Sequence, residues 1–378
     1  MCLQMPKQQQ IIRPSASPDL SALFFISLTF PVLALVFLTS GPHTISAACY
    51  WILPFWLILF ADLVKIKIKP VSKTSDSHLP FSLLLYLLAA LQICNIWFML
   101  EMASQLEWSN PAMISTSLVN LLAIKVIIGT SSSFSGIVTA HELIHKRTWY
   151  DKLLGRLLLS LVCYEHFFTE HLHGHHCNVG RENDPATARF GESFNAYWKR
   201  TVPDQFKQAW QLENRRIKLQ GIKFPAIFQH HVFQGIVFEA VLILLIAHSF
   251  GISALFAFLI QALAAIRKLE AVNYIEHWGL ERSSNTSRNT DILSWETNSW
   301  LTLHSLLGLS RHTDHHQHPD KPYQQLEYCA SSPQLPYGYF ATIFLSIFAN
   351  ARFQSLATQQ LQINQLGPFQ PHNTQRAA

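Results

Sequence analysis

The chain is 378 residues long, room for one large domain or two of ordinary size. Only 13% of it is Asp, Glu, Lys or Arg and 49% is hydrophobic, where about 25% charged is usual for a soluble domain, so an ordinary soluble fold is set aside. The net charge of +5 is mild and no Lys/Arg tract makes a nucleic-acid stripe, while six cysteines without a CxxC pair make no disulfide framework.

Polar residues are gathered between long apolar runs, and about 20 apolar residues cross a bilayer as a helix. Residues 1–19 read as a solvated N-terminal cytoplasmic tail. A first span covers about 20–38; it lacks a small-residue cleavage site and further spans follow at once, so it is not a secretory signal. The second, 45–64, spans if Asp62 sits at its end, and the third covers 78–100. The fourth covers 111–138 and carries Lys125 in its middle. A charge there is costly, so Lys125 is functional, paired, or snorkelling to the interface. Two more spans, 231–250 and 252–269, are parted by a tight turn at Gly251. Lys65, Lys67, Lys69 and Lys73 follow span two, Lys146 and Arg147 follow span four, and Arg267 and Lys268 follow span six. The links after spans one, three and five have no Lys or Arg. Positive charge collects on the cytoplasmic side, which puts both termini there, along with 141–223 and 267–378.

The histidines fall in four groups along the chain. "HELIHK" (141–146) sets His141 and His145 four apart, on one face of a helix. "EHLHGHH" (170–176) offers His171, His175 and His176, with Gly174 leaving room for neighbours. "NYIEHWGL" (273–280) supplies His277 just past span six, and "RHTDHH" (311–316) supplies His312, His315 and His316. Nine imidazoles exceed what one ion accepts and match two metals with four or five ligands each. Each group has an adjacent acid, Glu142, Glu170, Glu276 or Asp314, and Asp184 is a further candidate. Ligand histidines commonly give their second ring proton to a carboxylate; the plainer alternative is a helix-surface charge. His304, on the apolar approach to the last group, is expected to line the site, whereas His166, His173 and His318 lie out of phase with it. His78, His230, His231 and His248 read as interfacial. The expected fold is all-α and integral to the membrane. Over 20–350 it is a six-transmembrane-helix bundle with a cytoplasmic helical cap carrying a histidine-rich dimetal site, and a polar C-terminal tail follows over 351–378.

HExxH alone suggests a zinc protease with Glu142 as general base, but zinc needs only three protein ligands and leaves most of these histidines unexplained. A metal transporter would keep its ligands near the bilayer midplane, whereas these lie past the helix ends. Imidazole also suits iron and copper. Two irons account for the ligand count, and oxygen chemistry accounts for a site beside the bilayer. A substrate dissolved in lipid then keeps the roughly 0.8 kcal/mol that each buried methylene is worth. With no GxSxG elbow, P-loop or Rossmann glycine pattern in the chain, electrons are expected from another protein.

The four boxes resemble the signatures of the integral-membrane alkane 1-monooxygenases, which belong, with xylene monooxygenase, to the histidine-rich membrane desaturase/hydroxylase superfamily. The likeness extends to "HFFTEH" before the second box, "DPATARFGES" after it and "HPDKPYQQL" after the last, and covers about residues 20 to 350. It implies a non-haem di-iron enzyme, its two Fe ions held by the nine histidines, with no catalytic residue beyond the metal centre. Such an enzyme uses O2 to hydroxylate a terminal or methyl carbon of a hydrophobic substrate, giving a primary alcohol. The resemblance also implies a rubredoxin-like electron donor with its reductase, and the inner (plasma) membrane as location. The chain departs from the pattern at "RKLE" (267–270), where the family is neutral and largely apolar. It also has Leu307, Gly308, Leu309 and Ser310 for Phe-His-Leu-Gln, Leu303 for an asparagine, and Lys321 and Pro322 for two arginines. All nine ligands are kept, so the departures bear on substrate and donor docking; Arg267 and Lys268 are candidates to receive a carboxylate head group. The runner-up is a membrane fatty acyl desaturase or fatty acid hydroxylase with the same di-iron centre.

Overall fold

Apolar segments become helices because a helix pairs every backbone N–H and C=O within the segment, with no help from water. The computed structural model describes residues 20–64, 79–223, 225–281 and 292–370. The expected tail at 1–19, Lys65, Lys67, Lys69, Lys73, His78 and residues 371–378 lie outside the described residues. A 3-10 stretch, Leu20–Leu28, leads into α1 (Thr29–Thr39), followed by α2 (Ile45–Val64), α3 (Leu79–Ser104) and α4 (Pro111–Ser131). The start of α4 is set by Asn110, whose side chain accepts from the Met113 N–H, and by Pro111 in the first turn. Without a break it passes through a π-helical turn, Ser132–Ile137, into α5 (Val138–His145). Then come α6 (Trp149–Ser160), α7 (Phe167–Glu170), a second π turn (His171–His175), α8 (His176–Asn178) and α9 (Phe194–Leu219). The last membrane element is α10 (His231–His277); α11 (Trp300–Ser305), α12 (His312–Gln317), α13 (Tyr339–Phe348) and α14 (Asn350–Asn364) complete the order.

Five helical stretches are long and apolar enough to cross a membrane: Ala22–Thr39, Ile45–Val64, Pro80–Ser104, Pro111–His145 and His231–His277. The expected fifth and sixth spans both fall within the run His231–His277, which is two helices joined across a kink. The kink is at Gly251, where φ 79° and ψ −179° are open only to glycine. The Pro111–His145 stretch, 35 residues, outruns the 20 or so that a bilayer needs; its end carries His141 and His145, and the end of the second α10 helix carries His277. The two helices lie side by side: a Cβ on Gly129 of α4 would stand 2.7 Å from the Cβ of Ala264 of α10. Buried amides fasten neighbouring helices, as membrane interiors favour. Gln92 of α3 donates to the Ser132 hydroxyl (2.8 Å), and Gln261 of α10 donates to the Leu161 carbonyl (2.9 Å).

Asp62 does sit near the end of α2, and it is wholly buried. Its carboxyl group accepts from the Ser299 hydroxyl (2.7 Å), the Thr302 hydroxyl (3.2 Å) and the Ala341 N–H (3.1 Å), tying α2 to α11 and α13. The polar tail expected from 351 is not a detached segment. Helix α14 buries Phe353, Ala357 and Leu361, one per turn, in a cluster with Tyr274 and Trp278.

Candidate metal centre

Four short pieces of chain converge where α5 and α10 end. In α5 a regular helical turn separates His141 from His145, so both rings face the same way. The second box is wound as a π turn, which sets residues five apart on one face. His171 therefore pairs with His176, their Nε2 atoms 3.1 Å apart, and His175 turns elsewhere. In α12 the four-residue spacing puts His312 with His316 (Nε2 to Nε2, 3.0 Å), and His315 faces across to His176 (3.2 Å).

The result is two adjoining groups. His141, His145, His171, His176 and His315 form one; His175, His277, His312 and His316 form the other. Within each group the ring nitrogens all lie within 4.8 Å of one another. The groups touch through the His176 and His316 rings, whose centroids are 4.7 Å apart. All nine residues expected from the sequence are thus brought together, every one buried except His145, which is half-buried. Neither group includes a carboxylate.

The electrostatics ask for a cation. Burial, and then repulsion between neighbouring imidazoles, holds His171, His176, His312, His315 and His316 well below the ordinary histidine value, so they are neutral near pH 7. A neutral ring nitrogen has either one proton or one lone pair. Yet Nε2 of His171 faces both His145 (3.2 Å) and His176, and Nε2 of His176 faces both His171 and His315. These contacts cannot all be hydrogen bonds. The Nε2 atoms of His141, His175 and His277 are buried with no hydrogen-bond partner at all. A metal ion held centrally in each group satisfies every one of these atoms at once, and the donor set fits a transition metal.

The acids divide. Asp184 accepts from His175 Nδ1 (2.9 Å). Burial works against its charge, but the His175 ring and the Thr187 hydroxyl prevail and keep it below the usual carboxylate value. Glu276 accepts the Tyr339 hydroxyl (2.8 Å) and lies 3.3 Å from His312 Nε2, the nitrogen that faces His316, while Glu142 lies 3.3 Å from His141 Nδ1. The other two do not brace the imidazoles. Asp314 faces outward to His318, Lys321 and the Glu327 N–H. Glu170 is buried with neither oxygen hydrogen-bonded, and burial, with Asp184 and Glu270 nearby, pushes its carboxyl well above the usual range. Three groups not anticipated from the sequence do brace the site. They are the Leu293 carbonyl, accepting from His277 Nδ1 (2.8 Å), Tyr339, and Phe167, stacked on His171 at 4.7 Å. His304 joins neither group; it contacts Phe24 and Trp300 and bonds to the Trp300 carbonyl (2.9 Å). Arg267 and Lys268 touch no imidazole of the two groups and instead line an apolar groove between α2, α4, α10 and α13.

A family model described as fatty acid desaturase matches residues 115–346. Alkane 1-monooxygenase 2 of Pseudomonas aeruginosa is 37% identical over 226 residues, 58% of this chain and 59% of that protein. Alkane 1-monooxygenase of Acinetobacter baylyi is 37% identical over 222 residues (57% and 54%), and alkane 1-monooxygenase 1 of Alcanivorax borkumensis is 36% identical over 231 residues (60% and 57%). The matched region is thus less than two thirds of each relative's length.

Proposed function

The chain belongs to the fatty acid desaturase family, and from that premise we propose that it is a membrane non-haem di-iron monooxygenase acting on a terminal or methyl carbon of an alkane-like substrate. The observation that carries this reading is the pair of adjoining, carboxylate-free groups of five and four imidazoles. One iron would be held by His141, His145, His171, His176 and His315, and the other by His175, His277, His312 and His316. Bound there, the irons would supply the activation of O2 that an unactivated C–H bond demands. In the overall change one C–H bond is exchanged for C–O–H and the second oxygen atom leaves as water. Two protons and two electrons balance it, the electrons coming from a rubredoxin-type protein and its reductase.

The residues of this chain orient and enclose. Asp184 and the Leu293 carbonyl fix which nitrogen of His175 and His277 faces inward, as outer partners of metal-bound histidine do. Glu276, itself held by Tyr339, lies instead against Nε2 of His312, the nitrogen that faces His316, and so sits at the edge of the second group. Burial of the rings keeps bulk water out and the imidazoles neutral. In this reading α10 crosses the bilayer twice about Gly251, which makes six crossings of the inner membrane. Lys146, Arg147, Arg267 and Lys268 lie on the cytoplasmic side with the cage and both termini.

The test is metal content and product. Purified protein should hold two irons per chain. With reduced rubredoxin, labelled O2 and n-dodecane it should give a primary alcohol carrying one labelled oxygen. An alkene in place of the alcohol would favour a desaturase. A single zinc with no oxidised product would overturn the di-iron reading and favour the protease, for which Glu142 would be the base.

A further inference from the structure

The groove between α2, α4, α10 and α13 has a volume of about 480 Å³ and is walled by aromatic and aliphatic side chains. Every charged residue on its wall is a cation: Lys125, Arg267 and Lys268. Arg267 is already engaged, donating to Asn195 (3.1 Å) and lying over the Phe194 and Trp198 rings. The two lysines are not. Lys268 reaches only the Ala264 carbonyl of its own helix (3.4 Å), and Lys125 has no hydrogen bond or ion pair among the described residues. The nearest acid in sequence, Glu270, is turned to the other face of α10, where it accepts from Tyr164, Tyr197, Gln205 and Asn273. Two lysine side chains without a counter-charge, beside an apolar groove, suit an anion that brings its own hydrocarbon.

The groove also has a direction. Its wall includes Phe30, Phe134 and Phe340, whose rings lie 5.0–5.9 Å apart, and Phe340 follows Tyr339, the residue that holds Glu276 beside His312. Lys268 precedes His277 by nine residues on one helix, roughly 14 Å at the helical rise. Lys268 thus stands about a medium alkyl chain away from His277.

We infer that this groove binds a chain carrying a carboxylate at one end, a fatty acid, with its head between Lys125 and Lys268 and its methyl end past the three phenylalanines toward the cage. This rests on the hydroxylase reading for what happens at the methyl end; the binding itself does not. The chemistry is that of the proposed function, with oxygen entering at the carbon farthest from the carboxylate.

The test uses the full chain in phosphatidylcholine nanodiscs, with labelled dodecanoate and its methyl ester as probes and empty discs as the partition baseline. The acid should bind roughly tenfold or more tightly than the ester, the scale of a charge-assisted contact. In the Lys125→Met, Lys268→Met double variant that ratio should fall to about one, and Lys125→Arg, Lys268→Arg should restore it. Equal binding of acid and ester by the wild type, or an undiminished ratio in the methionine variant, overturns the inference. So does displacement of dodecanoate by phosphatidylglycerol added to the discs, which would assign the cations to an anionic lipid; dodecanoate that stays bound supports the fatty acid. Turnover separates the two levels. Acid-selective binding without oxidised product would leave the groove standing and sink the hydroxylase reading. Alkane oxidation without acid selectivity would do the reverse.

Discussion

Asp62→Ala is the most exacting perturbation of the fold that supports the cage. The carboxyl group is buried in the membrane end of α2 and receives three donors, the Ser299 and Thr302 hydroxyls and the Ala341 N–H. Removing it strands all three. A buried donor left unpaired costs about 1–3 kcal/mol, but hydroxyls can turn and a backbone N–H cannot, so the sum is about 3–5 kcal/mol rather than the maximum. At the scale of a few degrees per kcal/mol this lowers the melting temperature by on the order of 10 °C. Asp62→Asn keeps an acceptor oxygen and should cost about half as much. The damage should also reach the metal, because Thr302 accepts the Tyr339 N–H and Tyr339 in turn holds Glu276 beside His312. The assay is thermal unfolding in detergent by intrinsic fluorescence, with iron content read on the same samples. An Asp62→Ala protein that melts with the wild type would refute the clamp.

Replacing one histidine from each group should split the centre. His277→Ala and His145→Ala should each hold about half the wild-type iron, while His304→Ala, which belongs to neither group, should hold all of it; equal loss in all three would break the partition. Acid should release the metal. The five imidazoles held below their ordinary value have unfolded values of about 6.5, so between the two the unfolded chain binds more protons and stability rises with pH. Iron content and melting temperature should therefore be level above about pH 7 and fall below about pH 6.5, as protons compete for the same nitrogens. A centre unchanged down to about pH 5 would contradict this. Phe353→Ala, in the cluster around Trp278, should cost about 3–5 kcal/mol by chemical denaturation, and no measurable change would mean that α14 is not part of the core.

How much of this was legible in the sequence depends on which rule each residue obeys. The apolar lengths gave the membrane helices, and regular helical spacing correctly put His141 with His145 and His312 with His316. The same spacing misleads in "EHLHGHH", where it pairs His171 with His175. The π turn adds one residue to the ring and makes the pair His171 and His176, and nothing in the local letters announces it. Adjacency in sequence was also a poor guide to proton acceptors. Glu170 and Asp314 are neighbours of candidate ligands along the chain but hydrogen-bond to none of them, whereas Asp184, nine residues beyond His175, makes the contact. A backbone carbonyl such as that of Leu293 cannot be read from side-chain letters at all. In α14 the glutamines hid an apolar residue every turn, a signal that was present but diluted.

The charged residues in the apolar helices give the last step, because the fold treats them unequally. A charge taken out of water among apolar side chains is costly, so it is retained only where something offsets it. For Asp62 the offset is internal: three donors from α11 and α13 close around it, and the same contacts align Tyr339 with the cage. For Glu270 it is again internal, with two tyrosines, a glutamine and an asparagine. Lys125 and Lys268 share a groove and have no such shell. If structure alone had to hold them, apolar residues of the same length would do it better. On the inference above, the offset for the lysines comes from outside the chain. Their place on the wall that ends at Phe340, one residue from Tyr339, makes a carboxylate-bearing substrate the ligand that accounts for both their charge and their position.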